Sequence, residues 1–156
     1  MKFAPEPAKR TRQEAKVAGN GLRERVSTSG IDRETMESAL VYVVDDEPRL
    51  LDLYTIILEA NGYAVRAFSN RIEALAELKG AVRKPDLLIM DYLGHTLAVD
   101  EFMKYCLRAH PGLRIVVASG FSQVDARFSG VRPDRYLQKP FTAEEFLREA
   151  EAALAV

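Results

Sequence analysis

From Ala39 onward, short apolar runs alternate five times with longer amphipathic stretches, and few folds accommodate that order. The runs are "LVYVV" (40–44), "YAVRAF" (63–68), "DLLIM" (86–90), "RIVVA" (114–118) and "RYLQ" (135–138). They have strand length and are rich in β-branched residues, so they read as buried parallel strands. Parallel neighbours cannot be joined by a tight turn, and the amphipathic stretches supply the helical crossovers. The first helix opens at Pro48, whose missing N–H suits a first turn, and stops at Asn61-Gly62. Asn70 with Glu73 reads as a capping pair for the second. The third runs from about Val99 to Ala109, and a weaker fourth covers Ser122 to Ser129. Thr142 and Glu145 form a capping box that opens the last. Five strands alternating with five helices predict a doubly wound α/β sheet with right-handed crossovers. The Leu and Ile residues of the first helix read as core, as does Cys106 on the third.

Residues 1–38 break the pattern. They hold few large apolar residues among Pro, Gly, Ser and mixed charge, too little to offset ordering entropy, so most of this stretch reads as disordered. The rest, 39–156, reads as one domain. Lys and Arg total 22 against 23 Asp and Glu, a balance that does not suggest a nucleic-acid or membrane protein. The tail is mildly basic but has only Phe3 for stacking on bases. Cys106 is the single cysteine, so no intrachain disulfide forms, in keeping with a reducing compartment. No segment is apolar enough to span a bilayer, and the start lacks a secretory signal, so the chain reads as cytoplasmic. Nothing follows the last helix, so no covalently attached output domain is expected.

In sheets of this kind, ligands bind outside the carboxyl ends of the strands, near the point where strand order reverses. The first strand ends in Asp45-Asp46 and the third in Asp91. Ser119-Gly120 follows the fourth, and Lys139-Pro140 follows the fifth. Each has an ordinary explanation alone: a helix cap, an Asx turn, a tight turn, a solvated lysine. Those explanations would have to hold independently at four strand ends. Together the residues place three carboxylates, a hydroxyl and an ammonium in one concavity. Adjacent carboxylates repel, and a divalent cation between them relieves the repulsion. Oxygen ligands of this kind suit Mg²⁺, which takes few protein ligands and keeps several waters.

"VVDDE", "LLIMD", "VVASG" and "LQKPF", in this order and at these separations, resemble the receiver domain of two-component response regulators over residues 39–156. The resemblance implies a flavodoxin-like fold with strand order 2-1-3-4-5. It implies that Asp91 is the phosphoacceptor, that Asp46 binds Mg²⁺ directly and Asp45 through water, and that the Leu93 main-chain carbonyl is a further ligand. Ser119 and Lys139 would each engage a phosphoryl oxygen, and Tyr136 would be the switch aromatic that turns inward as Ser119 moves. The Lys139-Pro140 bond is expected to be cis. The partners implied are a sensor histidine kinase or histidine phosphotransfer protein, and a downstream protein effector. That effector would meet the face formed by the fourth helix, fifth strand and last helix, where Arg127, Phe128, Arg132, Arg135, Glu145 and Arg148 lie. Phosphorylation-dependent homodimers are a further implied form.

The loop after Asp91 departs from the family pattern. Gly94-His95 and Leu97-Ala98-Val99 stand where Met-Pro and Met-Asp-Gly are common. His95 reads as a surface histidine. Leu93 and Phe121 occupy the two positions that influence autodephosphorylation in the family. Both are apolar and unable to orient water, so a long-lived phosphoryl group is expected. Three other readings compete. A phosphate sink that drains a kinase would have the same site. A Mg²⁺-dependent phosphohydrolase would need a second acid in Asp91-Tyr92-Leu93, and none is there. A nucleic-acid-binding role would rest on the tail alone, with salt-dependent binding lost on its removal.

Overall fold

The computed structural model describes residues 37–94, 96–122 and 128–156. Its elements run β1 (Leu40–Val44), α1 (Pro48–Ala60), β2 (Ala64–Phe68), α2 (Arg71–Gly80), β3 (Leu87–Asp91), α3 (Val99–Ala109), β4 (Arg114–Ser119), β5 (Arg135–Gln138) and α4 (Ala143–Leu154). Most of the weak helix expected at 122–129 lies outside the described residues, as do His95, Arg127 and nearly all of the tail expected to be disordered. The five strands form one parallel sheet in the order β2-β1-β3-β4-β5. This is the doubly wound, flavodoxin-like order expected from the sequence. The order reverses between β1 and β3, so a crevice opens at their carboxyl ends.

Alternate residues of each strand feed opposite faces. On one face Leu40, Tyr42 and Val44 of β1 join Leu88 and Met90 of β3 against Leu78 of α2 and Phe102, Met103 and Cys106 of α3. On the other, Val41 and Val43 join Leu87 and Ile89 against Leu51, Tyr54 and Leu58 of α1 and Phe146, Ala150 and Ala153 of α4. Every residue of β1 is buried, which explains why its sequence is continuously apolar rather than alternating. The edge strands β2 and β5 carry the exposed positions Arg66, Ala67, Arg135 and Gln138. Fully burying a side chain such as Phe102 contributes roughly 1.5–3 kcal/mol.

The helix ends follow local chemistry. The Asn70 side chain accepts the Glu73 N–H at 2.8 Å. Thr142 and Glu145 make both halves of their capping box, at 3.1 and 2.8 Å. Gly62, at φ 87°, makes the left-handed turn that ends α1, a conformation only glycine adopts without strain.

Three expectations need correction. The Leu and Ile residues of α1 are not all core. Leu51 and Leu58 are buried with Tyr54, but Leu53 and Ile56 are 49% and 65% exposed. A helix on a sheet buries one stripe, and positions 53 and 56 lie off it. The third strand starts at Leu87 rather than Asp86; it ends on Asp91 as expected, paired in register with Ala118. The second strand starts at Ala64 rather than Tyr63. Among the described residues no helix is long and apolar enough to cross a membrane.

Candidate acidic site at the strand ends

The topology brings the strand-end residues together. One carboxylate oxygen from each of Asp45, Asp46 and Asp91 lies within 4.8 Å of the others. Lys139 follows β5 and reaches back across the end of the sheet. Its Nζ lies 3.0 Å from Asp91 Oδ1 and 3.6 Å from Asp45 Oδ2. Asp45 is buried, Asp46 is exposed and Asp91 is intermediate, so the cluster grades from the interior to solvent.

Asp45 does not cap α1 with its side chain in the usual way. The residue before the helix is Glu47, which makes no side-chain cap. Asp45 Oδ1 instead accepts the Glu47 N–H at 3.0 Å, an Asx-type turn that aims the other oxygen toward Lys139. Burial pushes the Asp45 carboxyl pKa up, reinforced by Asp91 and Asp46 and opposed by the Glu47 N–H and Lys139. The Tyr54 hydroxyl is buried without a partner among the described residues. Burial raises its pKa as well, with Asp45, Asp91 and Glu47 adding to the effect. Its ring stacks on Phe146 at 4.8 Å.

Ser119 closes β4 and is 1% exposed. Its Oγ accepts the Phe121 N–H at 3.1 Å, which leaves the hydroxyl proton available to an anion. The Lys139 N–H donates to the Ser119 carbonyl at 2.7 Å, tying the end of β5 to β4, and the Lys139-Pro140 bond is cis as expected. The Tyr136 hydroxyl donates to the Phe121 carbonyl at 2.9 Å. Four aromatic rings link this region: Tyr92 lies edge-on to Phe121 and Phe128, and Phe128 edge-on to Tyr136.

The loop after Asp91 passes close to the cluster. Leu93 is half exposed. Gly94 has φ 84°, and a Cβ there would come within 2.4 Å of Asp46 Oδ2. The unusual glycine thus lets main chain lie against a carboxylate. A further participant escaped the sequence reading. Arg71, the first residue of α2, is 2% exposed and donates to the carbonyls of Asp91, Tyr92 and Leu97. Its one sequence signal is a cation in the first turn of a helix, where the dipole favours acids.

Chemically, three carboxylates in this space fit a small, hard divalent cation such as Mg²⁺. A carboxylate beside an ammonium and a buried hydroxyl fits an anionic reaction in which negative charge spreads over several oxygens.

Residues 41–151 match the family model for the response regulator receiver domain. The nitrogen assimilation regulatory protein NtrX of Azorhizobium caulinodans is 32% identical over 118 residues, covering 73% of this chain and 26% of that protein. The probable transcriptional regulatory protein TcrX of Mycobacterium tuberculosis is 26% identical, covering 73% of this chain and 49% of that one. The chain therefore spans only a quarter to a half of these relatives. Among solved structures, NtrX from Brucella abortus superposes with a TM-score of 0.67 at 30% identity, covering 76% of this chain and 27% of that one. The chemotaxis response regulator CheY4 of Vibrio cholerae has a TM-score of 0.69 at 24% identity, covering 76% of this chain and all of that one, and shares the fold.

Proposed function

Because the chain belongs to the response regulator receiver domain family, we propose that it works as a phosphorylation-controlled switch whose phosphoacceptor is Asp91. Phosphorylation-based signalling downstream of histidine kinases is the business of such domains. The observation that carries the assignment is the Lys139 ammonium, 3.0 Å from Asp91 Oδ1, within a cluster of three carboxylates.

In this reading an Asp91 oxygen bonds to phosphorus as the bond from phosphorus to the donor breaks. The donor is the phosphohistidine of a sensor kinase or phosphotransfer protein, or a small acyl phosphate. The electron pair leaves with the imidazole nitrogen or the acyl oxygen. Charge in the transition state spreads over the equatorial phosphoryl oxygens, so placement and charge stabilisation do most of the work. Lys139 neutralises one of those oxygens. Asp45, Asp46, Asp91 and the Leu93 main-chain carbonyl would hold Mg²⁺, which supplies positive charge to the phosphoryl group when bound. Ser119 donates its hydroxyl proton to a phosphoryl oxygen.

Output follows from that last contact. Drawing Ser119 toward the phosphoryl group disturbs its bond with the Phe121 N–H, and Tyr136 holds the carbonyl of the same residue. Tyr136 would then turn inward, biasing one of two states. The surface read by an effector would include β5 and α4, where Arg135 pairs with Glu149 at 2.7 Å and Arg148 is exposed.

The phosphoryl group should persist. Leu93, in the loop after Asp91, and Phe121, after β4, are 52% and 45% exposed and carry apolar side chains that cannot orient water. Slow decay also argues against a phosphate sink. The primary test treats wild type and Asp91→Asn with acetyl phosphate and Mg²⁺ and weighs the intact protein. One added phosphate on wild type alone supports the reading, and none on either removes it. Loss of label within seconds would overturn the stability of the phosphoryl group, and Leu93→Asn should hasten its loss.

A further inference from the structure

We propose that Arg71 is a positioning residue that staples both ends of the loop following Asp91, so that the acceptor and the loop beside Asp46 keep one conformation. The inference rests on the reading of this cluster as the cation and phosphoryl site. Arg71 Nη1 donates to the Leu97 carbonyl at 2.6 Å, next to the start of α3. Nη2 donates to the Asp91 carbonyl and, at 2.9 Å, to that of Tyr92, where β3 stops. One planar guanidinium therefore ties the exit of a strand to the approach of a helix. A lysine ammonium at the same place is a compact charge on a flexible stem and lacks that fork.

The arrangement is costly, which points to a specific use. A buried guanidinium needs charge compensation or full hydrogen bonding. Among the described residues, Arg71 bonds only main-chain carbonyls, and its Nε has no partner. Burial lowers its pKa, and the charges of Asp91 and Asp46 are the main opposing influence. Its position in the first turn of α2 also sets it against the helix dipole. What is gained is the path of a loop in which small shifts matter. Gly94 lies against Asp46 with no room for even a methyl group. If the ends of this loop loosen, Asp46 and the Leu93 carbonyl lose their fixed relation to Asp91.

Two variants separate stapling from charge. Arg71→Lys keeps the cation and loses the fork; Arg71→Met loses both. Stapling predicts that amide hydrogen exchange across residues 92–98 of the metal-free protein quickens about tenfold or more in both. It also predicts that calorimetric Mg²⁺ affinity falls about tenfold in both, as for other supporting residues of metal ligands. If Arg71 acts only through its charge, Arg71→Met binds Mg²⁺ more tightly, Arg71→Lys binds as wild type, and loop exchange is unchanged; that result overturns the proposal. Leu113→Ala, a core truncation at the opposite end of β4, controls for general loss of stability and should leave both readouts alone. Should neither Arg71 variant fold, the wild-type guanidinium decides. Its Nη protons must exchange more slowly than those of exposed Arg49, and equal rates reject the staple. No readout requires phosphorylation. If Asp91 takes no phosphate while the exchange results hold, the acceptor assignment falls and the staple stands.

Discussion

At the scale of single residues, the site is defined by charge held out of water. Asp45 is 2% exposed beside two other carboxylates, and its raised pKa means that the folded state binds a proton more tightly than the unfolded chain. The associated destabilisation is absent below the ordinary carboxylate range, near pH 4, grows as pH rises from there, and is complete once pH has passed the raised value. Asp45→Asn keeps an oxygen for the Glu47 N–H and removes the charge. It should raise the melting temperature of the metal-free protein at pH 7. The gain should fade on acidification toward pH 4, and excess Mg²⁺ should reverse the ranking. Equal melting temperatures at pH 7 without metal would contradict the charge argument. Cys106, 1% exposed, has its thiol pushed up to about 12 by burial. Alkylation at pH 8 should therefore be slow in the native protein and fast in denaturant, since the thiolate is the reactive form.

At the scale of elements, the loop between β3 and α3 and the start of α4 matter most. Gly94→Ala places a Cβ 2.4 Å from Asp46 Oδ2, at a positive φ that L residues resist. Asp46 must rotate or the loop must shift. Mg²⁺ binding by calorimetry should weaken about tenfold, with about 1–2 kcal/mol lost in stability. Unchanged affinity would mean that Asp46 does not hold the cation. At the other end of the site, Thr142 and Glu145 fix the first turn of α4 just after the Lys139-Pro140 step. Thr142→Ala should cost about 1 kcal/mol in urea denaturation.

At the scale of the whole molecule, a parallel sheet covered on both faces makes a packed floor, and the acidic cluster lies at its carboxyl edge. The floor depends on its two clusters of buried side chains. Phe102, fully buried between α3 and the sheet, should cost about 3–5 kcal/mol when cut to alanine. Ile56→Ser, on the outward side of α1, should stay within about 0.5 kcal/mol of wild type. Urea midpoints compare the two directly, and a large loss at Ile56 would show that this side of α1 is covered.

Much of this was legible before any coordinates. Runs such as "LVYVV" and "RIVVA" announce buried strands because hydrophobic period and β-branching are local properties. Asn70-Glu73 and Thr142-Glu145 announce helix starts for the same reason. The meeting of Asp45, Asp46, Asp91 and Lys139 followed from topology, since parallel strands of one sheet present their carboxyl ends on one edge. Arg71 could not be found that way. Its partners are main-chain carbonyls of residues twenty and more positions away, and every residue has such a carbonyl. The fit of Gly94 against Asp46 was equally hidden, whereas the outward turn of Leu53 and Ile56 follows from the helical period set by Leu51, Tyr54 and Leu58. Local periodicity dictates which segments form and in what order. Which atoms then touch depends on how separate segments pack, and only the assembled tertiary structure decides that.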